Sequence, residues 1–273
     1  MYIVQSASAI PRRLGGLAVD DHGTADGRTP LVLLHGMTFD RRTWRPLVDL
    51  LQQADPGRRT LVIDLPGHGE SPEQARYDLA EVPAQLHGAI EEAGLTSPVI
   101  VGHSAGALAA TVYAARFPVS GVVNVDQPLQ LGEFAAFVRS MRDRLEGPAF
   151  AATFQQFWES FHTERLPADA RDLVRATFRP RQQVVTGFWR EIMHGSVKVI
   201  TDQTEQALSA IGETGVPYLH IAGEELPPGY AEWLTKRIPE ATFAVWGGSG
   251  HFPHLARPEE FTRILTSTAS WPN

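Results

Sequence analysis

In a chain with no cysteine, any nucleophile must be an oxygen or a nitrogen, and one serine stands where it could be one. Ser104 lies in Gly102-His103-Ser104-Ala105-Gly106, between an apolar run, Pro98 to His103, and a helix-period stretch, Ala105 to Phe117. A serine there must turn tightly from strand to helix, and the small or absent side chains of Gly102 and Gly106 let the flanking backbones approach. The turn pushes its hydroxyl above the sheet edge, and the helix that follows offers unpaired N–H groups where negative charge would develop. Leu33-Leu34-His35-Gly36-Met37 ends a second strand-like run in a glycine turn, placing the Met37 N–H where it could join that of Ala105 around an oxyanion. Asp64-Leu65-Pro66-Gly67-His68-Gly69-Glu70-Ser71 is a glycine-rich turn after the next run, and Gly247-Gly248-Ser249-Gly250-His251-Phe252-Pro253-His254 is a flexible loop with a histidine before the closing helix.

The elements that must position these turns alternate in type. Short β-branched runs at Pro30 to His35, Thr60 to Leu65, Pro98 to His103, Gly121 to Val125, Pro217 to Ala222 and Thr242 to Trp246 read as buried strands. Helix-period stretches at Leu79 to Ala93, Ala105 to Phe117, Thr204 to Ile211, Ala231 to Arg237 and Pro258 to Thr268 lie between or after them. Alternation of this kind predicts an α/β fold, a mainly parallel sheet flanked by helices. From about Pro128 to Val199 the strands stop and ten large aromatics appear between Phe134 and Trp189. That length is too great for an ordinary connection, so a helical lid is expected there. The division is a core of residues 1–127 and 200–273 with a helical cap over 128–199. Most of the aromatics are expected to pack the cap against the core.

Composition narrows the function classes. The 273 residues carry 43% hydrophobic and 20% charged side chains, ordinary globular usage with enough interior for a substantial core. A net charge of −7 offers no basic surface for nucleic acid or anionic lipid. No run approaches the roughly 20 apolar residues of a membrane span, and the start, Met1 to Ser6, lacks the pattern of a secretory signal. A cytoplasmic protein without membrane or nucleic-acid partners is expected. Thiolate metal sites are excluded, and neither a nucleotide fingerprint nor a ligand cluster around His254 points to a cofactor or metal.

In family order and at family-like intervals, the His-Gly-Met loop, the Asp-Leu-Pro-Gly-His-Gly-Glu-Ser turn, the Gly-His-Ser-Ala-Gly elbow and the Gly-His-Phe-Pro-His loop make the chain resemble the α/β-hydrolase family nearly throughout, outside the lid. The resemblance implies a twisted sheet of about eight strands with the site at their carboxyl ends beneath a helical cap. It implies Ser104 as nucleophile, His251 as its base, and the Met37 and Ala105 amides as oxyanion donors. His35 and His103 are read as structural hydrogen-bond formers, His68 as a loop support and His220 as a satisfied interior histidine.

The acid departs from the common pattern. Where most relatives place an Asp, this chain reads Ala222-Gly223-Glu224-Glu225-Leu226, with leucine at the usual position. Some branches take the acid from the end of the strand after the nucleophile helix, which here is Asp126. Asp126 is the preferred acid, with Glu224 or Glu225 as alternatives. The reaction expected is hydrolysis of an ester or lactone of a small, largely apolar molecule through an acyl-enzyme. A C–C bond hydrolase, an acyltransferase, a cofactor-free perhydrolase, or a small-molecule receptor with a slow or inactive triad are the alternatives on the same framework.

Overall fold

Six apolar runs form the parallel part of an eight-stranded sheet, and an N-terminal hairpin supplies the other two strands. The computed structural model describes residues 10–78 and 80–267. Leu79 and Thr268, expected at helix ends, and the start from Met1 to Ser6 lie outside the described residues. In chain order the core begins with β1 (Ile10–Leu14), β2 (Leu17–His22), β3 (Leu31–Leu34), α1 (Arg45–Ala54), β4 (Thr60–Ile63), α2 (Glu81–Glu92), β5 (Val99–His103), α3 (Ala105–Ala114) and β6 (Gly121–Val125). Seven helices follow: α4 (Gly132–Ser140), α5 (Arg142–Glu146), α6 (Phe150–Ser160), α7 (Ala168–Thr177), α8 (Gln182–Phe188), α9 (Arg190–His194) and α10 (Val197–Thr214). The chain then returns as β7 (Tyr218–Ala222), α11 (Tyr230–Thr235), β8 (Ala241–Val245), α12 (Pro253–Ala256) and α13 (Pro258–Ser267).

The strand order is β1-β2-β4-β3-β5-β6-β7-β8, antiparallel across β1, β2 and β4 and parallel from β4 to β8. Every residue of β3, β4, β5, β6 and β7 is buried, as strands covered on both faces require. Alternate side chains feed opposite cores. Val32, Leu34, Ile100 and Val122 pack with α2, α3 and the end of α10, while Leu31, Leu33, Val99, Val101 and Val123 pack with α1 and α13. Each fully buried branched side chain contributes about 1.5–3 kcal/mol, so the sheet is a rigid base for the loops at its carboxyl edge. A third apolar cluster joins Met37 at that edge to Leu131, Val138, Phe154, Trp189 and Ile200 of the helical segment.

Two features differ from the sequence-based expectation. The boundary expected between Val199 and Ile200 falls inside α10, an unbroken helix from Val197 to Thr214. It ends at Gly215, whose φ of +67° is the left-handed cap that stops a helix. In addition, the β1–β2 hairpin and α1 are absent from the runs read above. In α1 the buried Leu47, Val48 and Leu51 form one apolar face behind a proline in the first turn.

Candidate active site

Loops at the carboxyl ends of β3, β5, β6, β7 and β8 bring the chemistry-bearing residues to one edge of the sheet. Ser104 follows β5 directly, with φ 52° and ψ −125°, a strained conformation for a residue with a side chain. The motif's glycines make this turn possible. A Cβ on Gly102 would collide with Gly106 O, and one on Gly106 would collide with the carbonyls of Leu34 and His35 at the end of β3. The elbow is thereby pressed against the Gly36–Met37 turn. No hydrogen bond engages the N–H of Met37 or Ala105 among the described residues, so both donors are available.

Asp126 follows β6, also at positive φ, 56°. Its Oδ2 accepts the Nδ1–H of His251 at 2.8 Å, and its Oδ1 accepts the backbone N–H of Gly223, after β7, at 2.8 Å. Burial pushes the Asp126 carboxyl up, but these two donors and the nearby imidazole more than offset it, and its pKa lies below the ordinary value. The alternative acids are engaged elsewhere or free. Glu224 pairs with Arg165 on the surface, and Glu225 makes no hydrogen bond to His251. The Ser104 hydroxyl makes no hydrogen bond among the described residues, which leaves it free to turn toward the imidazole or a substrate.

His251 is held from three sides. His103 donates its Nε2–H to the His251 carbonyl at 2.7 Å, which requires a proton on Nε2. Burial, reinforced by repulsion from His254 and His251, holds the His103 imidazole well below its ordinary pKa and so favours the neutral ring. Phe161, at the end of α6, accepts the His251 backbone N–H at 3.2 Å and stacks on its ring at a centroid distance of 4.9 Å and an interplanar angle of 18°. Asp126 holds Nδ1 from the third side, leaving Nε2 as the nitrogen that can take a proton.

Ser104, Asp126, His251, Met37 and Ala105 all line one cavity of about 470 Å³, a volume suited to a small organic molecule. Seven of the ten aromatics between Phe134 and Trp189 line it too, all but Phe150, Trp158 and Phe178. This corrects the expectation that most of them serve only to pack the helical segment against the core: they pack on one another and wall the cavity at once.

A family model described as the alpha/beta hydrolase family matches residues 31–264. The chain belongs to that family. Among curated proteins it is 25% identical over 266 residues to the pimeloyl-[acyl-carrier protein] methyl ester esterase of Yersinia enterocolitica, covering 91% of this chain and 96% of that one. It is 26% identical over 241 residues to the biotin biosynthesis bifunctional protein BioHC of Cellvibrio japonicus, covering 85% of this chain but 46% of that protein, so the chain spans about half of that relative's length. Among solved structures, a putative aryl esterase from Burkholderia cenocepacia superposes with a TM-score of 0.73 at 20% identity, covering 96% and 97% of the two chains, a likeness of fold.

For this family member, the remaining histidines separate by their partners. His35 receives the Leu65 N–H on Nε2 at 3.0 Å and donates from Nδ1 to Gly36 O at 2.8 Å, which ties the Gly36–Met37 turn to the loop after β4. His68 hydrogen-bonds Pro66 O from Nδ1 at 3.0 Å within its loop. His220 differs from the expectation of a satisfied interior histidine: neither ring nitrogen has a partner among the described residues, and the ring lies between Tyr230 and Phe243. Burial holds its pKa down at about 4. Among the described residues no group of three or more His, Asp or Glu is placed to hold a metal ion. No helix there is long and apolar enough to cross a membrane.

Phe161 is the site residue that sequence reasoning did not single out. It sits among many helix-spaced aromatics, and its contact with His251 spans 90 positions without a local signature.

Proposed function

We propose that the chain hydrolyses a carboxylic ester or lactone of a small, largely apolar substrate through an acyl-enzyme on Ser104. The observation that carries this reading is the 2.8 Å Asp126–His251 contact at the wall of a cavity that also holds Ser104 and two unengaged amides. Asp126 fixes the His251 proton on Nδ1, so Nε2 is the base. It takes the proton of Ser104 as Oγ attacks the substrate carbonyl, and the resulting oxyanion is met by the Met37 and Ala105 N–H groups. Collapse breaks the bond to the alkoxy oxygen, which leaves as the alcohol with the proton from Nε2. Water then repeats the sequence on the acyl-enzyme, releasing the acid and restoring Ser104. The relatives named above as esterases support the ester bond as the one cleaved. Residues 128–199 act in this reading as the cap whose rings shape the substrate cavity.

The test is steady-state hydrolysis of p-nitrophenyl esters of graded chain length by the protein and its Ser104→Ala and His251→Ala variants. Saturable turnover that falls by about 10⁴ or more in both variants is expected. Failure to hydrolyse any of these esters, or full activity without Ser104, would falsify the reading.

A further inference from the structure

One wall of the cavity carries a combination of groups that plain hydrocarbon binding does not need. Phe134 and Phe137 of α4, Phe157 of α6 and Trp189 between α8 and α9 line it together with Glu191 of α9. The rings are in contact. Phe134 meets Trp189 edge-on at 5.6 Å, Phe137 meets Phe157 edge-on at 5.5 Å, and Phe157 lies 5.5 Å from Trp189. Phe137 is 51% exposed and Glu191 is also exposed, so this wall reaches the outer rim.

The charges lining the cavity are of one sign. Its described lining holds Asp78, Asp126 and Glu191 beside His251, and neither lysine nor arginine, in a chain with 24 of them. Asp126 is committed to His251 and Gly223. Asp78 accepts the N–H groups of Ala80 and Glu81 at the start of α2 and pairs with Arg76. The Glu191 carboxylate makes no hydrogen bond or ion pair among the described residues, and only its backbone carbonyl is engaged, by the Gly195 N–H. Arg139 on α4, which bonds to the residues just after it, donates to the carbonyls of Ile192 and Gly195 rather than to this carboxylate.

Aromatic faces carry negative potential and attract cations, and an alkylammonium group spreads its charge over methyl groups, so it loses little hydration on entering an apolar wall. A carboxylate without a counterion at the same wall adds attraction for that charge and repels an anion. We infer that this wall of the cavity binds an alkylammonium group of the substrate, held by the ring faces of Phe134, Phe137, Phe157 and Trp189 and by the Glu191 carboxylate. The inference rests on the ester reading above and names the class of ester.

Two pairs of esters matched in shape test it. In one the cation is on the alcohol, butyrylcholine against 3,3-dimethylbutyl butyrate. In the other it is on the acyl side, ethyl 4-(trimethylammonio)butyrate against ethyl 5,5-dimethylhexanoate. In at least one pair kcat/KM for the cationic member should exceed that for its neutral twin by about tenfold, and the ratio should fall by about threefold or more in Glu191→Gln, the remainder being the share of the rings. A protein that hydrolyses neutral or p-nitrophenyl esters but gives the ammonium member no advantage in either pair overturns the inference and leaves the ester reading standing. A preference undiminished in Glu191→Gln overturns the assignment of this site. A protein that hydrolyses no ester at all overturns both.

Discussion

Phe161 lies flat against His251, ring centroids 4.9 Å apart and tilted by 18°, while its own carbonyl holds the His251 backbone N–H. A residue from the helical segment thus sets the orientation of an imidazole that β8 delivers from the core. With Asp126 on Nδ1 and His103 on the carbonyl, the ring has little freedom to rotate away from the cavity.

Phe161→Ala removes that platform without touching the reacting atoms. We expect kcat to fall by about 10- to 100-fold, because small displacements of a catalytic base are costly. The KM for a p-nitrophenyl ester should change less than kcat, and the circular dichroism spectrum should be retained. Unchanged kcat would show that the stacking does not position His251.

The acid is separable by substitution. Asp126→Asn should leave the fold intact and lower kcat by about 10⁴, since the amide no longer holds the required tautomer of His251. Glu224→Gln and Glu225→Gln should stay within about threefold of the parent, because neither carboxylate bonds the ring and surface pairs contribute little. The opposite ranking in the same assay would reassign the acid.

Much of this site was legible from residue order alone. The strand–turn–helix context of Ser104, the His251 loop and the strand-end position of Asp126 are local patterns, and Leu226 in the usual acid position points to β6 instead. The β1–β2 hairpin was not legible, because Pro11, Arg12 and Arg13 break the alternation that marks a half-buried strand. In α1, by contrast, Leu47, Val48 and Leu51 carry a readable helical face. Which rings of the helical segment face the cavity depends on how those helices dock on the sheet edge. The packing of Phe161 on His251 depends on it as well, and helical spacing is the same for a ring that lines a cavity and one that fills a core.

Stability should fall steeply on mild acidification. His68 and His254 are held down at about 3 and His220 at about 4 by burial, with repulsion from neighbouring imidazoles adding to the first two. Above the ordinary value of 6.5 these histidines are neutral whether folded or not and contribute nothing. Below it the unfolded chain takes up protons that the folded chain refuses, so each costs up to about 1.4 kcal/mol per pH unit until its folded value is reached. Asp126, whose folded carboxyl lies below its ordinary 3.8, adds stability that is complete above that value and is lost only as pH falls through the folded value. Urea midpoints measured from pH 7.5 to 5 should therefore drop, and His220→Phe should flatten the slope. A midpoint independent of pH across that range would contradict the assignment.

The elbow is sterically closed. Gly102→Ala places a methyl group against Gly106 O, and Gly106→Ala places one against the end of β3, so each should cost about 1–3 kcal/mol in urea unfolding. Gly132→Ala, where a Cβ meets nothing nearby, is the control and should cost nothing measurable. Equal stability of all three variants would mean that the turn is looser than described.

The central claim is that Ser104 forms a covalent intermediate under the control of His251. Peptide-level mass spectrometry after brief treatment with a fluorophosphonate addresses it most directly. One adduct per chain on the peptide containing Ser104, lost in Ser104→Ala and formed far more slowly in His251→Ala, is the expected result. Labelling at another residue, or rapid ester turnover by a protein that takes up no label, would contradict it.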